Sequence, residues 1–416
     1  MKETEPPNRR FPSELYRVLA VASTWGFAFS STYLLPKFLD RSLGATPSEI
    51  GLVVGSFGWA TVAIAPHAGA LVDRWPLRRL MFLGALGTAL TSFGLASVGE
   101  VGPLLYLLRL AQAYAHALTF TAVGVAVASL APAERLSQAL GLSGASMLVM
   151  NALSPAVLEP IADRFGWSAA FTLAGAMSLV SCALCLRLPA IRVGSATPSR
   201  RRVPGFLELL ERPLARDFAL ISAIAGLAFG TMVTFEPPLA LSLGRTQVRG
   251  FFIAYAVGAI SVRLGIGHLP DRLGRHRVAV VTFALYALVV ASVGFVPAWL
   301  LDAAGLGFGI AHGLFYPSLN AIAVTGVAPH EQGRILALFT GAFYLGFAGP
   351  SLLGPLAEAA GYRAVFWVVA AVTAGGVVKL ARSRALGGGG AWRPSLARDA
   401  AGGAVATSGF VEQDRV

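Results

Sequence analysis

Arg109, Gln112 and His116 stand at steps of three and four within the apolar run Pro103 to Leu130. At helical spacing that puts a guanidinium, an amide and an imidazole on one face. An Arg inside an apolar span costs about 2.5–3.5 kcal/mol on insertion scales, so it is expected to face a partner or a water-filled cavity. Arg109 could there hold an anionic or polar group, against the plainer reading of snorkelling to headgroups. His312, in Ala311-His312, repeats Ala115-His116 at an offset of 196 residues. Glu236, in Phe235-Glu236-Pro237-Pro238, is the acid best placed to ionise within a helix of the second half. A carboxyl there could carry a proton across in exchange for a solute, or be an interfacial acid near the helix end. Trp25, Tyr33, Tyr114, Tyr316, Asn320 and Tyr344 could line a cavity around these groups or simply pack.

A second constellation is basic and lies between apolar runs. Gly267-His268-Leu269-Pro270-Asp271-Arg272-Leu273-Gly274-Arg275-His276-Arg277-Val278 has a weaker copy 198 residues earlier, at Gly69-Ala70-Leu71-Val72-Asp73-Arg74-Trp75-Pro76-Leu77-Arg78-Arg79-Leu80. An Asp beside Arg can sit against the free N–H groups at the start of a neighbouring helix while the Arg residues pair with acids. Asp73 and Arg74, with Asp271, Arg272 and Arg275, are thus candidates for a conformational latch; topology alone is the simpler reading. The first copy has Pro76 in the place of Gly274 and its basic pair one residue late.

Other chemistry is excluded by motif. The lysines are Lys2, Lys37 and Lys379, none in a G-x-x-x-x-G-K-[ST] arrangement, so there is no P-loop and no ATP-driven pump. Neither G-x-S-x-G nor H-E-x-x-H is present, so no enzyme, metal site or cofactor is expected. Cys182 and Cys185 fall inside an apolar run and read as packing.

The elements that must position these residues are membrane helices. The chain is 55% hydrophobic and 13% charged, against about 25% charged in soluble domains, with mean hydropathy +0.67. Its net charge of +12 is spread between apolar runs instead of on one soluble face, which argues against nucleic acid. Candidate helices lie near Leu15 to Phe38, Ile50 to Val72, Leu80 to Val98, Pro103 to Leu130, Ser137 to Leu158, Ser168 to Leu188, Phe218 to Leu241, Gly250 to Leu269, Val278 to Val296, Trp299 to Val327, Ile335 to Leu356 and Ala364 to Leu380. These twelve make an all-α membrane protein of two six-helix bundles, 15–188 and 216–381. A cytoplasmic segment 1–14, a linker 189–215 and a disordered tail 382–416 complete the expected organisation. Of the 33 Lys and Arg, 25 fall on the side of the termini, six on the other, and Arg109 and Arg263 inside apolar runs. By the positive-inside rule both termini are cytoplasmic. The polar first dozen residues do not resemble a cleaved leader.

The repeat extends further. Ala131-Pro132-Ala133-Glu134 returns as Ala328-Pro329-His330-Glu331, and Phe165-Gly166-Trp167 as Ala360-Gly361-Tyr362, at offsets of 197 and 195 residues. A duplicated unit is expected to put its solute site between the halves near mid-membrane.

The G-x-L-x-D-R-x-G-R-x-R turn with its earlier copy resembles the signature loop of the major facilitator superfamily of secondary transporters, and the fourth to sixth helices look like its bacterial arabinose-type and drug efflux members. Leu107-Leu108-Arg109-Leu110-Ala111-Gln112-Ala113 is similar to that family's R-x-x-x-G element, with Ala113 in the glycine's place. The eleventh helix carries Gly341, Gly346, Gly349-Pro350, Gly354 and Pro355, whereas the fifth has only Ser154-Pro155, thinner than the glycine-proline element associated with antiporters. The first helix offers Thr24, Trp25 and Ser30 where many drug exporters of the family have an acid. The resemblance implies a secondary transporter of small organic solutes, working as a monomer in the bacterial plasma membrane, with protons as coupling ion and export as the direction. An uptake symporter for a small organic anion or sugar, and a non-transporting sensor on the same fold, are the alternatives.

Overall fold

The computed structural model describes residues 11–132, 135–189, 205–325, 327 and 329–383, and among these it is helical without a strand. The helices are α1 (Ser13–Ser30), α2 (Leu35–Leu43), α3 (Pro47–Arg74), α4 (Leu77–Leu95), α5 (Pro103–Leu130), α6 (Leu136–Phe165), α7 (Trp167–Leu186), α8 (Phe206–Glu211), α9 (Pro213–Ser242), α10 (Arg249–Gly265), α11 (Leu269–Leu273), α12 (Arg275–Val293), α13 (Leu301–Val324), α14 (Pro329–Phe347), α15 (Pro350–Ala360) and α16 (Tyr362–Arg382). Ten spans are long and apolar enough to cross a membrane, with α1–α2 and α14–α15 each counting as one. The other two rods are α4, whose first turn carries Arg78 and Arg79, and the 17-residue α10, which complete twelve. Within the expected linker, α8 and the start of α9 are helical; residues 190–204 and the tail beyond 383 lie outside the described residues.

Local chemistry sets the ends and breaks. Thr46 and Glu49 close a reciprocal capping box on α3, with Pro47 in its first turn. Between α1 and α2 the chain tightens into a 3-10 turn at Ser31–Leu34, where Pro36 cannot donate and the Ser30 hydroxyl bonds back to Gly26 O at 2.7 Å. Proline also parts α14 from α15, at Pro350. Gly166 and Gly361, before α7 and α16, adopt φ +88° and +80° with ψ 163° and 161°. Only glycine holds that backbone without strain, and its occurrence at both repeat-related turns shows the duplication at single-residue level.

The pairing of helices repeats as well. In the first half α4 packs on α5 and α7, α1 on α6 and α7, and α3 on α5; in the second α12 packs on α13 and α16, α9 on α14 and α16, and α10 on α13. Two seams join the halves, α3 against α14–α15 and α6 against α10, and the repeat exchanges one for the other. The first brings two backbones together through glycines of α3. A Cβ added at Gly58 would lie 2.7 Å from both Tyr344 O and Ala348 N, so the backbones meet directly.

The helices of the seams are buried at one face and more exposed at the other. At the face away from the basic loops, here the far face, Ile50 and Val53 of α3, Ser154 and Glu159 of α6 and Phe251 and Phe252 of α10 are buried. At the basic face, consecutive residues are exposed on the same helices: Ala65 to His67, Leu140 to Leu142 and Leu264 to Gly267. Three successive residues sweep about 200° of a helix, so more than half of the circumference is uncovered there.

Candidate functional site

His116, on α5, meets the second half at mid-depth. Its Nε2 lies 2.8 Å from the Tyr344 hydroxyl of α14, and its ring stacks on Phe29 at 4.4 Å and on Phe120 at 5.3 Å. Trp25 is 5.5 Å away, its indole N–H donating to Thr88 Oγ1 at 3.1 Å. His312 occupies the repeat-related place on α13, stacked on Tyr316 at 5.6 Å and beside Phe229 at 5.0 Å. Tyr316 lies beside Thr340 and Asn320. Rings then run without a gap from His116 to Tyr344 (5.9 Å), Phe343 (6.1 Å) and His312 (6.3 Å). Both histidines are buried, and neither Nδ1 has a partner among the described residues. The arrangement is an aromatic track across the seam, with imidazole and phenol groups able to accept or donate along it.

Arg109 and Gln112 share the His116 face but turn into the first half. Arg109 donates from Nε to Val53 O and from Nη2 to Val54 O, each at 3.2 Å, and from Nη1 to Gln112 Oε1. At 2% exposure it also lies 5.1 Å over the Phe57 ring. Its donors are therefore engaged by α3 carbonyls and one amide within its own bundle.

Glu236 is 0% exposed, six residues before the end of α9, and neither carboxylate oxygen has a partner among the described residues. Arg245, Asp302 and Glu159 lie within electrostatic reach. It is thus enclosed in protein. Of the remaining aromatic candidates, Tyr33 stacks across the halves on Phe252 at 5.0 Å, while Tyr114 is exposed beside His67. Ser30 reaches Asn151 Oδ1 at 2.8 Å, and Thr24 only its own backbone.

A charged lock at the far face was not legible in the sequence. Lys37 Nζ, 4% exposed, donates to Glu159 Oε1 at 2.7 Å, Asp163 Oδ1 at 2.8 Å and, across the seam, Thr246 O at 2.8 Å. Glu159 in turn accepts from the Val248 and Arg249 amides, both at 2.8 Å, capping α10 from the opposite half. Arg245 forks onto Asp302 at 2.7 and 2.9 Å behind them, a bond that raises the guanidinium above its ordinary value. The fifth helix is expected to end at Leu158, and Lys37 counts among the six basic residues of the outer loops. The helix instead continues through Pro155 and Pro160 to Phe165, because buried partners accommodate the acid. The one available signal was a rare lysine within the apolar stretch Leu34-Leu35-Pro36-Lys37-Phe38.

The residues expected to form a latch lie at the basic face, Arg74 and Arg272 exposed at the ends of α3 and α11 and Arg275 opening α12. The side chains of Asp73 and Asp271 lie outside the described residues. Cys182 and Cys185 are buried and unpaired with each other.

A family model described as Major Facilitator Superfamily matches residues 18–348 and 218–395. The MFS-type transporter YhhS of Salmonella paratyphi C is 26% identical over 356 residues, covering 82% of this chain and 85% of its own. The staphylopine export protein of Staphylococcus aureus is 22% identical over 364 residues, covering 82% and 89%. Among solved structures, a peptide transporter POT superposes with TM-score 0.76 at 13% identity, covering 92% of this chain and 97% of its own. The nucleoside transporter NupG gives 0.70 at 17% identity, covering 88% and 99%.

Proposed function

The chain belongs to the Major Facilitator Superfamily of membrane transporters, and on that premise we propose that it is a proton-coupled exporter of small organic solutes that works by alternating access, as a monomer in the bacterial plasma membrane with both termini cytoplasmic. The observation that carries the reading is the asymmetry of the seam, locked by Lys37 and Glu159 at one face and uncovered at the other, with the aromatic track between. A site that faces one side at a time is what uphill exchange needs. In this reading Trp25, His116, His312, Tyr316 and Asn320 hold the solute, and Arg109 with Gln112 fixes the position of α5 against α3.

Glu236 is the proton carrier of this scheme. A buried carboxyl with no partner is housed most cheaply as the neutral acid. When water or the Arg245 charge reaches it, the proton leaves toward the open face. Export is supported by the named activity of the Staphylococcus relative, and the cytoplasmic termini by the excess of basic residues on their side. Asp73, Arg74, Asp271, Arg272 and Arg275 close the basic face when the far face opens.

Proteoliposomes with an imposed pH gradient and a panel of labelled solutes test the proposal. Uphill movement of at least one solute, against the proton gradient and abolished by its collapse, is the expected result. Accumulation in the direction of proton entry makes the protein an uptake symporter, and saturable binding with no flux makes it a sensor.

A further inference from the structure

Arg263, near the end of α10, is an intramembrane cation that the scheme above leaves unused. Its Nε donates to Gly313 O, at the middle of α13, at 3.4 Å. That bond brings the guanidinium up to the level of His312, which with Tyr255 lies within electrostatic reach. Nη1 points across the second seam: a Cβ added at Gly144 of α6 would stand 3.2 Å from it. Among the described residues no carboxylate comes within ion-pair distance. Unlike Arg109, whose donors are engaged and which is 2% exposed, Arg263 is only half-buried, toward the basic-face end of α10.

An Arg at this depth is retained against its insertion cost when something anionic occupies it for part of the working cycle. A guanidinium with free donors in a fork matches a carboxylate, phosphate or sulfonate, and takes it with two parallel bonds. Beside it lies the ring track, and the unpartnered Nδ1 of His312 is a further polar contact. Among the described residues no acid lies at this level; Glu236 and Glu159 are both toward the far face.

We propose that Arg263, together with the track from His116 to His312, forms a binding site for aromatic organic anions, the acidic group on Arg263 and the flat body against the rings. The proposal rests on the transport reading and narrows it to a solute class. Placement on α10 opposite α6 also means that the bound anion touches both halves, so its charge is felt by the seam that must move.

The test uses the full chain, purified in detergent, and three probes of one shape: 2-naphthoate, 2-naphthamide and 2-naphthylmethylammonium, titrated by calorimetry. A charge-assisted bond in place of a neutral one predicts roughly tenfold tighter binding of naphthoate than of naphthamide, and the ammonium weakest. Arg263→Gln should bring the naphthoate-to-naphthamide ratio to about one with the amide affinity within about twofold, and Arg263→Lys should keep most of the preference. Should Arg263→Gln not elute as a folded species, Gly144→Leu, which fills the space facing Nη1 from the other half, must lower the ratio in the same sense. Equal binding of anion and amide, tightest binding of the ammonium, no binding of any probe, or a ratio untouched by the substitutions overturns the proposal. Gradient-driven flux is measured separately, so uphill transport without anion preference would sink this inference alone.

Discussion

Lys37 and Glu159, 122 residues apart, form a 2.7 Å ion pair that is almost fully buried, and Glu159 carries that charge onto the first amides of α10 in the other half. Removing one partner of a buried pair leaves an uncompensated charge and costs about 3–5 kcal/mol, whereas the more exposed pair with Asp163 contributes about 0–1 kcal/mol. Lys37→Met and Glu159→Gln are therefore expected to open the far face more often, and Asp163→Asn much less. A cysteine at Ser154, buried at this seam, reports the change in a background with Cys182 and Cys185 replaced. Its labelling by an impermeant reagent from the far side should rise by about tenfold or more in the first two variants, on the factor of ten per 1.4 kcal/mol. Unchanged labelling would mean that the lock is ornamental to closure.

Glu236→Gln keeps the shape of the side chain and removes its proton. In proteoliposomes the variant should lose pH-driven uphill movement while retaining solute exchange at equal pH. Uphill transport with the parent's pH dependence would assign coupling elsewhere, and the pair of Arg245 and Asp302 would be next to examine.

Gly58 sits where α3 meets the α14 backbone with no room for a Cβ, whereas nothing lies within 4 Å of a Cβ at Gly69 on the same helix. Gly58→Val is expected to bar the far-closed state and reduce transport at least about tenfold at equal protein in the membrane, while Gly69→Ala stays near the parent level. Similar losses in both would point to helix propensity, not to the seam.

The basic loops carry a prediction of rank. A carboxylate at a helix start is worth about 0.3–1 kcal/mol when exposed and up to about 2 when partly buried, enough to shift a balanced equilibrium severalfold. By repeat symmetry Asp271 should act on the start of the fifth span near Ser137, and Asp73 on the start of the eleventh near Arg334. Because Pro76 replaces the glycine turn in the first copy, Asp271→Asn should slow transport more than Asp73→Asn. Full activity in both variants reduces the loops to topology signals.

Orientation is checked by labelling. Cysteines placed singly at Ser199 and at Ser42, without Cys182 and Cys185, should react oppositely in intact cells, with Ser42 accessible from outside. Outside labelling at Ser199 reverses the molecule in its membrane.

The spans and the duplication could be read from the chain because they rest on apolar length and on turn residues such as Gly166 and Gly361, whose backbone demand is local. The alignment of Arg109, Gln112 and His116 was equally local, a matter of helical steps. What each side chain meets was not. Arg109 spends its donors on carbonyls of α3, which carry no side-chain signature, and Glu159 finds its partners 122 and 89 residues away. Arg263 was visible as a charge in an apolar run, but its reach to Gly144 depends on how the halves are set together. The rings beside His116 and His312 are ordinary phenylalanines among 25, and only packing singles out Phe29, Phe229 and Phe343.

Glu159 does for α10 what a capping residue normally does for its own helix, from across the seam. When the halves part, the carboxylate and the amides of Val248 and Arg249 lose one another together, and in an apolar span only water can take both places. Opening of the far face is therefore a wetting event: the backbone cannot separate ahead of the solvent that replaces its bonds. The closed state then resists leakage of small ions for the same reason that it resists opening, and osmolytes that withdraw water should slow the cycle at this step without touching the solute site.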